Sequence, residues 1–303
     1  MLRRFLDSWF FHNFRRDVTA WGSACVLVFL LVAGFGAPLF APHDPYDPAT
    51  IDIMDAETPP LWKENGNPAF LLGTDAQGRD LFSTMLYGLR VSIIIGFGAV
   101  AMQAAIGISI GLIAGYLGGR IEAVLMRMTD VQLSFSTYMV AIFFGAVFQA
   151  AFGLSLYEDM AVPMLILIIG FAEWPQYART VRASVLAERK KEYVEAARVV
   201  GLSRARIMVR HILPNSLTPV LVISTVQVAN AIMSEAALSF MGLGMPVTRP
   251  SLGSLIKAGF DFIFSGSWWI TLFPGIVLVS LVLAINLFGD WLRDFLNPKL
   301  YKG

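Results

Sequence analysis

From Val91 to Gly118 the chain carries no charged residue, and the run from Val18 to Phe40 is equally free of charge. A helix that crosses a bilayer needs about 20 consecutive apolar residues, and both runs reach that length. With 56% hydrophobic and 15% charged residues, the chain lies outside the balance of a soluble domain. The expected class is therefore an all-α, polytopic membrane protein. An apolar core much above roughly 15 residues is too long for a secretory signal. The run after Arg3, Arg4, Arg15 and Arg16 thus reads as a retained first span.

Further apolar runs lie at 134–152, 160–177, 216–237 and 268–288, giving six expected transmembrane helices. The second run holds Gly107, Gly111, Gly115 and Gly119 at intervals of four, a small-residue ladder that lets helix backbones approach closely. Between the first two spans, 41–90 reads as an extended loop without a core of its own, rich in proline and acidic residues. It closes with LLGTDAQGRDLFSTMLYGLR at 71–90, where Leu81, Phe82, Met85, Leu86 and Leu89 make one helical stripe. Two readings of this stretch stay open: an interfacial helix leading into the next span, or an outer gate. Trp268 and Trp269 read as an interfacial anchor of the last span.

Six spans put both termini on one side. The N-terminus, the 120–130 loop, the 175–216 loop and the C-terminus hold most of the Lys and Arg, whereas the other side has only Lys63, Arg79, Arg90, Arg249 and Lys257 as cations. The positive-inside rule makes the richer side cytoplasmic. The expected organisation is a cytoplasmic N-terminus at 1–17, a first helix at 18–40, and an extracytoplasmic loop at 41–90. A core of five helices at 91–289 then carries a cytoplasmic loop at about 178–215, and 290–303 form a cytoplasmic tail.

Chemistry in the spans is sparse. A net charge of +1 gives no basic field for nucleic acid. His12, His43 and His211 lack metal-ligand spacing, Cys25 reads as an inert packing residue, and no GxxxxGK[ST] phosphate loop occurs. No nucleophile and base stand at a telling spacing, so neither catalytic residue, cofactor nor metal is expected. Glu173 and Glu235 read as lying near span ends, in capping or interhelical hydrogen bonds or in proton coupling. Gln103, Gln149, Gln227, Asn230 and Asn286 read either as lining a polar path or as bonds between helices.

Glu188 to Pro214, ERKKEYVEAARVVGLSRARIMVRHILP, is the long charged stretch of the second half. One amphipathic helix is expected up to Val200, with Val194, Ala197 and Val200 on one side and Lys190, Lys191 and Arg198 in solvent, stopping at Gly201. A second is expected from an N-cap at Ser203 to Pro214. Without a chemical engine in the spans, this hairpin is where a partner would deliver energy.

EAARVVG at 195–201 followed by HILP at 211–214 resembles the EAA loop of bacterial ABC importer permeases. The resemblance implies an ATPase-coupling helix at Glu195, Ala196, Ala197, Gly201, Leu213 and Pro214. LGTDAQGRD with YGLR, GYLGG with MRMTD, RHILPN, and EAALSFMGLG with PSLG together resemble the dipeptide/oligopeptide/nickel permeases of DppC/OppC type. From this series follow a type I ABC importer permease fold, an outer loop or gate motif at Gly73, Thr74, Asp75, Gly78, Arg79 and Asp80, and a broken-helix motif at Glu235, Gly242 and Gly244. The implied partners are a second homologous permease in a heterodimer, two cytoplasmic ATP-binding subunits using ATP and Mg, an extracytoplasmic solute-binding protein, and membrane lipid. The implied location is the bacterial inner membrane. The rival classes are an ion-gradient transporter, which would work without an ATPase, and a scaffold without transport.

Overall fold

The computed structural model describes residues 14, 17–47, 51–153 and 158–296. The basic stretch with Arg3, Arg4, Arg15 and Arg16, His12, and the tail beyond Leu296 lie outside the described residues. Among those described there is no strand, only an isolated antiparallel bridge between Thr74 and Asp80. Among the described residues five helices are long and apolar enough to cross a membrane, and the count is six if a bent pair is taken as one span. Contacts divide the chain into two compact units, one drawn from residues up to Ile95 and from Ile232 onward, the other from Gly96 to Ala231.

In the first unit, α1 (Val18–Phe35) opens on Asp17, whose Oδ1 accepts the N–H groups of Thr19 (2.9 Å) and Ala20 (3.1 Å). Cys25, expected to pack inside, is exposed on this helix. The burial habit of cysteine belongs to interiors surrounded by water, and a membrane helix turns apolar side chains outward without that cost. Helix α2 (Leu81–Leu117) starts well before the expected Val91. Asp80 accounts for the earlier start, because its Oδ2 accepts the Ser83 N–H (2.9 Å) and hydroxyl and so caps the first turn. At 37 residues α2 is about 55 Å long, well beyond the roughly 30 Å of a hydrocarbon core, which leaves room for Arg90 within it.

Segment 51–80 is not a coreless loop. It is tied by the hydrogen bonds described below and lies over a cluster of Leu81, Met85, Leu255, Trp269 and Ile270, with Leu72 and Phe273 packed beside it. The later helices of this unit are α8 (Leu252–Asp261) and α9 (Trp269–Leu296), and α9 packs on both α1 and α8. Trp269 is therefore not an interfacial anchor: it is 4% exposed and its Nε1 donates to Thr74 O at 3.2 Å.

In the second unit α3 (Gly119–Leu133) and α4 (Thr137–Phe152) meet at 88° and together replace the simple third span expected at 134–152. Helix α5 (Ala161–Glu188) runs 28 residues, past the expected end at 177 and into the charged stretch. Glu173 accordingly sits mid-helix and buried rather than near an end. Gly107, Gly111 and Gly115 seat α2 against α5: a Cβ at Gly111 would lie 2.5 Å from Ala178 O, and one at Gly115 2.8 Å from Val185 Cβ. The ladder stops there. Gly119 has open space around it and φ +57°, and with Gly118 at φ +70° it makes the turn into α3. Arg182 to Glu122 and Arg179 to Asp130 (2.6 Å) then tie α5 to α3.

Candidate functional site

The charged hairpin is built from the end of α5. Glu188 is buried and accepts from Lys191 Nζ and from the Tyr193 hydroxyl, each at 2.6 Å. Burial, and then the Glu188 carboxylate, push the Tyr193 phenol above its ordinary value, so it keeps its proton and serves as a donor. Asn215 Nδ2 donates to the same hydroxyl (3.3 Å) and to His211 O (2.8 Å), which closes the base of the hairpin. Helix α6 (Glu192–Val199) turns Val194 and Ala197 inward and leaves Glu195 and Ala196 exposed. Val200, expected on the inner side, is 77% exposed together with Val199, because the helix ends one residue earlier.

That end is a Schellman motif. Gly201 has φ +83°, its N–H donates to Arg198 O (3.0 Å), and Leu202 N–H donates to Ala197 O (3.2 Å). Ser203 stands at the next N-cap position without a side-chain bond. The second helix does not end at Pro214: a π-helical stretch, Ile207–Ile212, runs directly into α7 (Leu213–Phe240). A proline near the start of a helical segment loses only one donor, and the wider π turn just before it absorbs the mismatch. Leu213 is half-buried and Pro214 exposed at this junction. Arg189 Nη1 donates to Gly115 O at 2.8 Å, which fixes the hairpin to the last carbonyls of α2. Arg198 lies 5.7 Å from the Tyr116 ring centre.

The outer-loop motif is a knot of buried polar groups in the first unit. Asp75 Oδ1 accepts the N–H groups of Gln77 (2.9 Å) and Arg79 (3.0 Å), and Oδ2 takes Arg79 Nε (2.7 Å) and Nη2 (2.6 Å). Arg79 Nη1 reaches Val247 O at 2.9 Å. Thr74 Oγ1 accepts Thr58 N–H (2.8 Å) and donates to Asp55 O (2.5 Å). Gly73 (φ +81°) and Gly78 (φ +79°) are left-handed, and a Cβ on either would strike the carbonyl of Thr58 or of Asp52. Because the Asp75–Arg79 pair is buried, removing one partner strands a charge, at a cost of about 3–5 kcal/mol. Arg79→Met is expected to lower the melting temperature in detergent by at least about 6 °C, and adding Asp75→Asn is expected to return part of the loss.

The broken-helix motif lies in the same unit. Glu235 is fully buried and accepts the hydroxyls of Ser92 (2.9 Å) and Ser239 (2.7 Å). Ser251 extends this cage by donating to Ser239 Oγ at 3.3 Å. Gly242 (φ +80°) repeats the cap seen at Gly201, with Leu243 N–H on Leu238 O (2.9 Å) and its own N–H on Ser239 O (3.0 Å). A Cβ at Gly244 would overlap Ser239 Oγ, and one at Gly253 would lie 2.5 Å from Ala236 Cα. The chain thus leaves α7, turns, and returns as α8 closely against it.

In the second unit the structure links residues that the sequence offers singly, as lining a polar path or as bonds between helices. Gln103 Nε2 donates to Glu173 Oε2 (3.3 Å), Gln227 Nε2 to Gln103 Oε1 (3.4 Å), and Asn230 Nδ2 to Gln227 Oε1 (2.9 Å). Each member lies near the middle of its helix, a positional signal that would have grouped them. Gln149 is exposed on α4, and Asn286 belongs to the other unit.

Comparison with known proteins gives a consistent picture. The family model described as "Binding-protein-dependent transport system inner membrane component" matches residues 107–302, and that described as "N-terminal TM domain of oligopeptide transport permease C" matches residues 8–60. The chain is 36% identical over 297 residues to the dipeptide transport system permease protein DppC of Haemophilus influenzae, covering 97% of this chain and 94% of that one. It is 35% identical to the di/tripeptide transport system permease protein DppC of Pseudomonas aeruginosa, with 96% and 91% covered. A putative peptide transport system permease protein of Brucella suis is 43% identical over 76% of this chain and 74% of its own. Among solved structures, the inward-facing MetNI methionine ABC transporter superposes with a TM-score of 0.55 at 17% identity, over 69% of this chain and 94% of that one. That likeness is one of fold.

Proposed function

The chain belongs to the inner membrane components of binding-protein-dependent transport systems, and from that premise we propose that it joins a second, different permease to form the path for di- or oligopeptides. It is a multi-pass permease subunit of a bacterial ABC importer. In this reading the N- and C-termini and the hairpin face the cytoplasm, and two ATP-binding subunits dock there and use ATP and Mg²⁺, neither of which this chain binds. An extracytoplasmic binding protein delivers the solute to the opposite side. Peptide as the solute rests on the names of relatives that match almost the whole chain.

The observation that carries the coupling role is the division of α6: Val194 and Ala197 anchor it, while Glu195 and Ala196 stand free to meet a partner. Tagged chain extracted in mild detergent is expected to bring down a second permease and two ATPases. Reconstituted with the binding protein, the assembly is expected to take up peptide only with ATP. Isolation of the chain alone, or uptake independent of ATP, would overturn the proposal.

A further inference from the structure

Asn230 is exposed near the centre of α7, on a face it shares with exposed Val226. A carboxamide turned toward lipid loses hydrogen bonds at a cost of several kcal/mol, so an exposed one at mid-span needs a polar neighbour. The side chain is also held in place. Its Nδ2 is bonded to Gln227, Gln227 to Gln103, and Gln103 to Glu173, and Gln103 and Gln227 are 0% and 1% exposed. This relay fixes the outermost amide while leaving its second N–H and its Oδ1 without a hydrogen bond among the described residues.

A fixed carboxamide with one donor and one acceptor directed outward matches the N–H and C=O of a peptide unit, whatever side chains that peptide carries. Secondary transporters hold their solutes near the bilayer midplane, the depth at which Asn230 stands on α7. We infer that Asn230 lines the translocation path and hydrogen-bonds the main-chain amide of the passing peptide, with Gln227, Gln103 and Glu173 as its positioning residues. The inference rests on the peptide-permease reading given above.

The test uses the assembled complex in membrane vesicles. Cys25 is the sole cysteine of this chain, so Cys25→Ser, with the label read on this chain after the subunits are separated, provides the background for Asn230→Cys and, on the exposed face of α1, for Val28→Cys. A charged, membrane-impermeant methanethiosulfonate is expected to modify Asn230→Cys at least about tenfold faster than Val28→Cys in the presence or absence of ATP. In parallel, Asn230→Leu is expected to lower ATP-driven uptake of labelled dialanine and trialanine at least about tenfold, and Asn230→Gln to retain part of it. Labelling no faster than at Val28→Cys in both conditions overturns the inference, since lipid or a partner helix then covers this face. Rapid labelling with unimpaired uptake by Asn230→Leu overturns the peptide contact. If the unsubstituted complex moves neither peptide under ATP, the peptide-permease reading fails and the contact falls with it, an outcome visible before any variant is compared.

Discussion

Replacing Gly201 by valine is expected to reduce ATP-driven uptake at least about tenfold while the chain still inserts and assembles. Nothing lies within 4 Å of a Cβ at this position, so the effect is conformational and not steric. With φ at +83°, an L-residue costs roughly 1–2 kcal/mol, and a β-branched one is a stronger outlier. About 1.4 kcal/mol is a factor of ten in an equilibrium, enough to loosen the Schellman cap and let α6 fray at its C-terminal end. Asparagine tolerates the left-handed region, so Gly201→Asn is expected to keep most of the uptake. Glu195→Lys, on the exposed side of α6, is expected to leave ATP hydrolysis running without transport. Uptake and ATPase rates measured together on the reconstituted complex check all three, and normal docking and uptake with Glu195→Lys would sink the coupling role.

Gly111→Val is expected to have the largest effect on folding. Its Cβ would sit 2.5 Å from Ala178 O and 2.8 Å from Val181 Cβ, both fixed parts of α5, so the two helices would have to separate. Overpacking ordinarily costs about 1–3 kcal/mol, and a shift of backbone puts this site at the upper end. Loss of contact at Gly111 also loosens Gly107 and Gly115, because one helix pair carries all three. The monodisperse fraction on size-exclusion chromatography in detergent is expected to fall at least severalfold. Gly145→Ala, where a Cβ meets nothing within 4 Å, serves as the control and is expected to be neutral. An unchanged elution profile for Gly111→Val would show that the ladder is not a packing seam.

Features that depend on neighbouring residues were readable in the chain. Charge-free runs marked the spans apart from the bent third one, glycine spacing marked the side of α2 on which a helix packs closely, and Gly201 marked the end of α6. The misread features depend on distant partners or on the solvent. Arg90 reads as the end of a loop, yet it lies inside α2 because Asp80 caps the helix a full turn and more upstream. Pro214 reads as a stop, yet π winding carries the helix through it. Trp269 reads as an interfacial anchor from its place at the start of the last span, and only the folded loop shows that its indole N–H is taken up by Thr74 O. Likewise the amides of Gln103, Gln227 and Asn230 are candidates singly, and their linkage in a chain ending on Glu173 emerges only where three helices meet.

The knot around Thr74 and Arg79 carries a consequence for the order of biosynthesis. Arg79 bonds Val247, Trp269 bonds Thr74 and Ser267 bonds Glu57, across 168, 195 and 210 residues of sequence respectively. At roughly 5–20 residues per second on the ribosome, the early segment emerges on the order of ten to forty seconds before its partners exist. During that interval the Asp75–Arg79 pair can close within the segment, but Arg79 Nη1, Thr74 O and the Glu57 carboxylate lack the partners they bond in the finished fold. The part of the chain made early is thus completed late, and a message truncated before α9 would leave it permanently unfinished and open to proteolysis.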